Sequence, residues 1–293
     1  MIRKMLITCI LFALLYAGLV HIQFVLKRGD FNASKKQAPK EELTHKVYSF
    51  SFSKYGNDGE KELEIEGDSA NVLTRTVNLI NIVAKAYAEE TPVTITADTG
   101  YYDKDKEKVF LHQNVVATTE DGTRLLTEEL EIHPGSKSLE TVQLAEVKKD
   151  NINIDGLGAR GDSALKKVQF KKKVKVVVQD PENPDVPPTV ITCEGPLDID
   201  YERNIAHFVD NVVAVDSRGT LTADKMDVYY NKEHKRVSKI IATGNVVVEN
   251  PDGNKTYSDS VIYLAEEGRI ILGGDTEALY YGGEAANLPK EFQ

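Results

Sequence analysis

The chain has 293 residues and a formal net charge of −10 at pH 7, with 46 acidic side chains against 36 basic ones. This negative balance argues against a nucleic-acid-binding protein, which normally presents a basic surface. Apolar residues make up 41% and charged residues 28% of the sequence, a mixture typical of a folded protein with a sizeable core.

An apolar segment lies near the N-terminus, from Met5 to Leu26, between basic pairs at 3–4 and 27–28. A helix of this length, rising about 1.5 Å per residue, spans the roughly 30 Å hydrocarbon core of a bilayer. A cleaved signal peptide is the competing interpretation, but the apolar run continues past the poor cleavage site at Ala17-Gly18. We therefore predict an uncleaved transmembrane helix, followed by a polar tether.

Strand signals occupy the rest of the chain, beginning near Val47. Hairpin turns are predicted where Asp, Gly and Pro separate runs of Val, Ile, Thr and Tyr, as at Asp121-Gly122 and 251–253. The segment 71–90 fits a helix or two strands, and its β-branched residues and asparagines favour strands. The clearest break, QDPENPDVPP at 179–188, either separates two folded units or forms a long loop in one stack.

A strand pattern recurs around an Asn-Val-Val step, at residues 114–116, 211–213 and 245–247. Aligned on the Asn, positions −5, −3, +1 and +3 are apolar in every copy, and the positions between them are mixed. This alternation predicts the apolar interior of a stack of β-strands, either a closed core or a groove for lipid. The candidate groove residues are Val109, Leu111, Val115, Ala117, Ala206, Phe208, Val212, Ala214, Ile240, Ala242, Val246 and Val248.

The residue before each of these asparagines is polar or glycine, namely Gln113, Asp210 or Gly244. Such a residue followed by Asn predicts a bulge or corner where the strand bends. A second sequence element also recurs and supports the repeat. Thr-Ala-Asp precedes a Tyr pair both at 96–98 and at 222–224.

The sequence contains no recognisable enzymatic motif. The six histidines have no metal-ligand spacing, neither HExxH nor GxSxG occurs, and Cys9 and Cys193 are unlikely disulfide partners. The acidic run at 103–107 has lysines at alternate positions, which favours a solvated turn over a calcium site. We predict no catalytic residue, no metal and no cofactor. The lysines of 167–175 alternate with apolar residues and predict a solvated outer face.

The combination of anchor, tether, Thr-Ala-Asp strands, Asn-Val-Val strands and Asp-Gly turns resembles the OstA-like β-jellyroll proteins of lipopolysaccharide transport. Residues 5 to about 180 resemble LptC, where GLGARGD at 156–162 and the lysine-rich strand after it are similar to the closing strands of that family. Residues from about 188 to 275 resemble the LptA/OstA repeat, most closely in TADKMDVYY and TGNVVVENPDG. The resemblance implies an all-β fold, with an N-terminal transmembrane helix followed by one or more OstA-like β-jellyrolls of stacked antiparallel strands.

The resemblance also implies a function. LptC-like proteins are single-pass inner-membrane proteins whose C-terminal bulk lies in the periplasm. They receive lipopolysaccharide from the inner-membrane lipopolysaccharide ABC transporter. Its acyl chains then pass along an apolar groove to an LptA-like bridge protein, or another OstA-like domain, joined by β-augmentation. We therefore expect a membrane-anchored conduit, not an enzyme, with no nucleic-acid partner. The alternative is a structural or adhesive envelope β-repeat protein with a closed core.

The expected domain organisation combines these observations. It comprises a membrane anchor at 1–28, a polar tether at 29–45, an LptC-like β-jellyroll at 46–180, OstA/LptA-like β repeats at 188–281 and a tail at 282–293.

Overall fold

The computed structural model describes residues 43–87 and 92–280, and nearly all of them lie in β-strands. The predicted anchor and the tail lie outside these residues. Within the described part of the chain, no helix has the length and apolar character needed to cross a membrane. One 3₁₀ turn, Pro134–Ser136, separates β6 from β7. The strands are β1 Leu43–Tyr55, β2 Lys61–Leu73, β3 Thr76–Ala86, β4 Val93–Asp103, β5 Lys108–Thr118, β6 Arg124–His133, β7 Ser138–Lys149, β8 Ile152–Asp162, β9 Lys167–Val178, β10 Thr189–Cys193, β11 Leu197–Asp200, β12 Ile205–Asp216, β13 Gly219–Asn231, β14 Arg236–Glu249, β15 Lys255–Leu264, β16 Arg269–Gly273 and β17 Glu277–Leu279.

All of these strands belong to one antiparallel sheet in which successive strands pair. β10 and β11 both lie between β9 and β12, so they are two halves of one interrupted strand. β16 and β17 share β15 in the same way. The expected all-β, antiparallel stack is confirmed. The described part of segment 71–90 forms the end of β2 and the strand β3, as the preference for strands predicted, and 179–188 is a loop between the paired strands β9 and β10.

The three Asn-Val-Val strands bend at the position that the sequence predicts. Gln113 and Asn114 have φ angles of 67° and 51°, and the other two copies also place two successive residues in the left-handed region. The register of pairing shifts at each of these points, as between His112 and Val115 in β5. Each strand therefore has a first arm before the corner and a second arm after it.

An Asp on the neighbouring strand fixes the corner in two of these copies. Asn114 Nδ2 donates to Asp98 Oδ2 at 2.7 Å, and Asn245 Nδ2 donates to Asp224 Oδ2 at 2.9 Å. The repeated Thr-Ala-Asp element thus supplies the acceptor for the Asn of the next strand. At Gly244, where φ is 79°, a Cβ would lie 2.4 Å from Asp224 Oδ2, so a side chain there would displace that carboxylate.

The bends let one face of the sheet enclose an interior. Side chains on both arms alternate between buried and exposed positions, as in β5, where the buried ones flank an exposed corner. The buried face forms one apolar cluster that runs from Leu63 to Val261. The predicted separation of β9 into an apolar inner face and a lysine-rich outer face is confirmed. Val168, Phe170 and Val174 are buried, whereas the lysines are exposed.

We expect Asn114→Ala to lower the free energy of unfolding by about 2 kcal/mol, because a left-handed conformation costs a non-glycine residue about 1–2 kcal/mol and Asp98 loses its donor. Asn114→Gly is the matched control, since it tolerates the positive φ and loses only the hydrogen bond. Urea unfolding of both variants, followed by circular dichroism, measures the difference. Equal stability of the Ala variant and the wild-type chain would refute the structural role of this corner.

Candidate functional site

The twelve sequence-predicted groove residues all belong to the interior face, and ten of them are buried. Ala206 and Val248 are half-buried and pack against the same cluster. The first copy is the most tightly enclosed, with Val109 and Leu111 both at 0% exposure. The interior is therefore closely packed around the first copy.

An apolar cavity of about 570 Å³ lies around the second and third copies. The loop 179–188 borders it on one side, and Arg218 and Arg236 contribute to its polar rim. Three of the predicted groove residues line it, together with other apolar side chains of β13, β15 and β16: Ala214, Ile240, Val248, Leu221, Val261 and Ile270.

A second cavity, of about 200 Å³, adjoins the first, and Val178 and Val237 line both. Its walls are mostly aliphatic, and they come from both arms of the bent strands. Ala206 and Phe208 are the predicted groove residues among them. The remaining apolar walls are Ile152, Ile154, Val176, Ile191, Leu197, Ile199, Ile205 and Val228.

Polar contacts cross the open side of the stack, opposite the corners. There, the turns on the side where the Asn-Val-Val strands begin meet the turns on the side where those strands end. We call this line of contacts the seam. One contact of the seam is an ion pair between Lys54 and Glu107. In two others a cation lies over an aromatic ring: the Lys149 ammonium is 4.9 Å from the centre of the Tyr201 ring, and the Arg218 guanidinium is 4.8 Å from the centre of the Tyr263 ring. The fourth is a group of contacts that we call the clasp and describe next. The seam separates the apolar interior from solvent on this side.

The clasp joins the β7–β8 turn to the β13–β14 hairpin across the smaller cavity. Lys235 Nζ lies 2.9 Å from Asp150 Oδ1, Asn151 Nδ2 donates to the Lys235 carbonyl at 2.9 Å, and Tyr230 Oη donates to Asn151 Oδ1 at 2.7 Å. Burial, and next the Asp150 carboxylate, raise the pKa of Tyr230 to about 12, so its hydroxyl remains a donor at neutral pH.

Asp121 anchors the seam beside Tyr201. Its carboxylate accepts hydrogen bonds from Lys149, from the hydroxyls of Thr119 and Thr123, and from the Thr123 backbone N–H. Burial alone would raise the pKa of Asp121, but these donors together hold it well below its usual range. The carboxylate is therefore ionised at neutral pH and keeps Lys149 in place.

Sequence reasoning missed two features of this interior. One is a further corner at Asn81, whose φ is 52° and whose side-chain amide donates to Asp68 Oδ2 at 2.6 Å. Relaxing Asn-Val-Val to Asn followed by two β-branched residues would have found it, since Ile82 and Val83 follow. The other is the contribution of β8, β9 and β11 to the wall of the smaller cavity. The alternating apolar residues of these strands indicate which side chains face the interior, but not that a cavity lies there.

The acidic run at 103–107 has the turn chemistry that the sequence analysis preferred. Asp103 Oδ1 accepts the backbone N–H groups of Asp105 and Lys106, at 3.1 and 3.0 Å. Within residues 43–87 and 92–280, no cluster of three or more His, Cys, Asp or Glu side chains is placed to hold a metal ion.

Comparison with known families divides the chain near the 179–188 loop. A family model described as "Lipopolysaccharide-assembly, LptC-related" matches residues 6–179. A second, described as "LptA/(LptD N-terminal domain) LPS transport protein", matches residues 196–283. A search of curated proteins found no match to this chain.

We expect Asp121→Asn to lower the free energy of unfolding by about 1 kcal/mol at pH 7, a modest effect because the Asp121 side chain is 58% exposed and screened by solvent. The pKa of Asp121 is lower in the folded than in the unfolded chain. Its contribution is thus fully present above about pH 4 and is lost as the pH falls toward the folded pKa. Urea unfolding at several pH values should show the two proteins converging in acid.

The control for this pH series is Asp252→Asn, at an exposed turn position between β14 and β15. It should leave the unfolding free energy within about 0.5 kcal/mol of wild type, as surface substitutions do. A stability difference for Asp121→Asn that stays constant down to pH 2 would contradict the role given to the carboxylate.

Proposed function

The chain belongs to the LptC-related family of lipopolysaccharide-assembly proteins, and we propose that it is a membrane-anchored conduit for lipopolysaccharide acyl chains. In this proposal, residues 5–26 anchor the chain by a single pass in the inner membrane. The bulk of the chain lies in the periplasm. Lipid is received from the inner-membrane lipopolysaccharide ABC transporter and moves toward the outer membrane.

The observation that carries this proposal is the pair of adjoining cavities at the junction of the two family matches, which β8 and β9 line together with strands of the part that resembles the LptA/LptD N-terminal domain. Each methylene exposed to water costs about 0.8 kcal/mol, so acyl chains need an apolar path across an aqueous compartment. The cavities offer preformed apolar walls, while the polar seam at their open side suits a hydrated saccharide head.

The two ends of the sheet are the proposed sites of partner pairing. β1 and the β16–β17 strand each have one unpaired edge within the described sheet. At the C-terminal end Ile270, Ile271 and Leu272 are exposed, and at the N-terminal end Val47 and Tyr48 are exposed. An OstA-like neighbour such as an LptA-like bridge can extend the sheet at such an edge through backbone hydrogen bonds.

A closed β core remains the second candidate, and the first Asn-Val-Val copy favours it. Val109, Leu111 and Ala117 have 0% exposure and line neither cavity. If the whole interior behaved in this way, the chain would be a structural or adhesive envelope protein. Lipid crosslinking along the interior distinguishes the two functions.

We expect Val237→Asp to reduce crosslinking of lipopolysaccharide to the interior at least tenfold, because Val237 lines both cavities and a carboxylate there opposes apolar cargo. Val237→Trp tests the same junction by filling it without a charge. The measurement is photocrosslinking in cells from a photoreactive residue placed at Ile240, with each variant's expression and folding checked by protease resistance.

The control for this experiment is Val142→Asp, since Val142 is 66% exposed on the outer face of β7. It should leave crosslinking within twofold of wild type. Unchanged crosslinking in both folded Val237 variants, or no lipid adduct in the wild-type chain, would favour the closed-core function.

A photoreactive residue at Ile271 should capture an OstA-like protein or domain in cells, because this side chain is exposed on the terminal strand. The same residue placed at Lys172, on the outer face of β9 away from both edges, should yield no such adduct. Mass spectrometry identifies the captured protein. Equal capture from both positions would contradict pairing at the edge.

A further inference from the structure

Tyr201 presents a buried hydroxyl that no other described residue satisfies. The residue lies in the turn between β11 and β12, and its side chain packs against the apolar cluster and lines the smaller cavity. Its oxygen is inaccessible to solvent and has no hydrogen-bond partner within residues 43–87 and 92–280. Leaving a buried polar group unpaired costs about 1–3 kcal/mol, so a tyrosine here needs an explanation.

The neighbouring polar groups do not supply that partner. Asp121 is close enough to influence the pKa of Tyr201, but its carboxylate accepts hydrogen bonds from Lys149, Thr119 and Thr123 and none from Tyr201. Lys149 contacts the face of the ring and donates to Asp121 and Thr123. Burial, and next the Asp121 charge, raise the pKa of Tyr201 far above neutrality, so the hydroxyl is a hydrogen-bond donor.

Tyr230 in the same cavity shows the contrast. Its hydroxyl donates to Asn151 and belongs to the clasp. The wall of the cavity thus contains one tyrosine with a structural partner and one whose hydroxyl is enclosed near Asp121 without a partner. Phenylalanine would fill the Tyr201 position without the cost of the unpaired hydroxyl. An unpaired donor at the wall of an apolar cavity is suited to a ligand that is aliphatic and carries an oxygen atom.

We infer that Tyr201 binds a carbonyl or carboxylate oxygen of an acyl chain held in the smaller cavity, with Lys149 near the same oxygen. The aliphatic part of the chain then lies along Ile199, Ile205 and Phe208. The shared chemistry is an acyl oxygen, which either a free fatty acid or the ester of a larger lipid supplies. This inference rests on the proposed function, since it gives the lipid path one defined binding site for an acyl oxygen.

The test uses the full chain in lipid nanodiscs and three probes that carry the same photoreactive diazirine chain. The probes are a fatty acid, an alkane of equal length and a phospholipid ester. Peptide mapping measures the label on β8, β11 and β12. Tyr201→Phe should lower acyl labelling by about fivefold, as expected for one hydrogen bond, and leave alkane labelling within twofold. Unfolding stability should be unchanged or higher.

The matched control is Tyr229→Phe, because Tyr229 neighbours Tyr230 on β13 but lines neither cavity, and Lys239 lies over its ring. It should leave all labelling within twofold. Labelling by the fatty acid alone would identify a free carboxyl group as the ligand. Labelling by both the fatty acid and the phospholipid ester would show that the site also binds an acyl ester. Either result, when sensitive to Tyr201→Phe, supports the inference.

Two outcomes overturn the inference while leaving the proposed function intact. In one, Tyr201→Phe changes no labelling, and in the other it lowers acyl and alkane labelling equally, which indicates packing alone. A different result, with no probe labelling the wild-type cavity, would refute the lipid path itself and the Tyr201 binding site with it.

Discussion

The aligned corner is the constraint on which the rest of this structure depends. A flat antiparallel sheet would leave both faces exposed, whereas bending successive strands at matching positions makes one face an interior. Each corner places non-glycine residues at positive φ, which costs about 1–2 kcal/mol per residue. The Asp–Asn hydrogen bonds at Asn81, Asn114 and Asn245, and the apolar burial on both arms, offset that cost. The corners are therefore polar and small while the arms are apolar.

The packing of side chains in the interior changes along the stack, although the pairing of the strands continues throughout. Around the first copy the side chains fill the space between the arms, whereas the adjoining cavities described above lie around the later copies. The change occurs near the strand interrupted between β10 and β11. At Gly195, with φ of 112°, a Cβ would lie 2.5 Å from the Lys171 carbonyl oxygen, so only glycine fits this break. The two family matches also meet here, and the sheet passes through the junction without losing its pairing.

The sequence could predict features that depend on local alternation and on the conformation of single residues. The strands, the inward positions of the Asn-Val-Val copies and their corners all follow from period-two patterning and from residues that tolerate positive φ. Cavities could not be predicted, because they depend on the side-chain volumes of two arms far apart in the chain. Asp150 and Lys235 form a clasp between turns that carry no shared motif. Tyr201 gave no signal either, because a tyrosine in a turn is unremarkable until its hydroxyl is seen to be buried.

The energetics of the seam make it the part of the wall that yields most easily. Its contacts join exposed turns, as with Lys235 and Asp150, whose side chains are 49% and 44% exposed, and such pairs contribute about 0–1 kcal/mol each. Opening the stack along a strand would instead break a row of backbone hydrogen bonds. Burying about four methylenes of an acyl chain releases about 3 kcal/mol. An entering chain can therefore offset the loss of several seam contacts, but it cannot offset separation of the sheet. Lateral entry between the turns, with the corners intact, is the route that this balance favours.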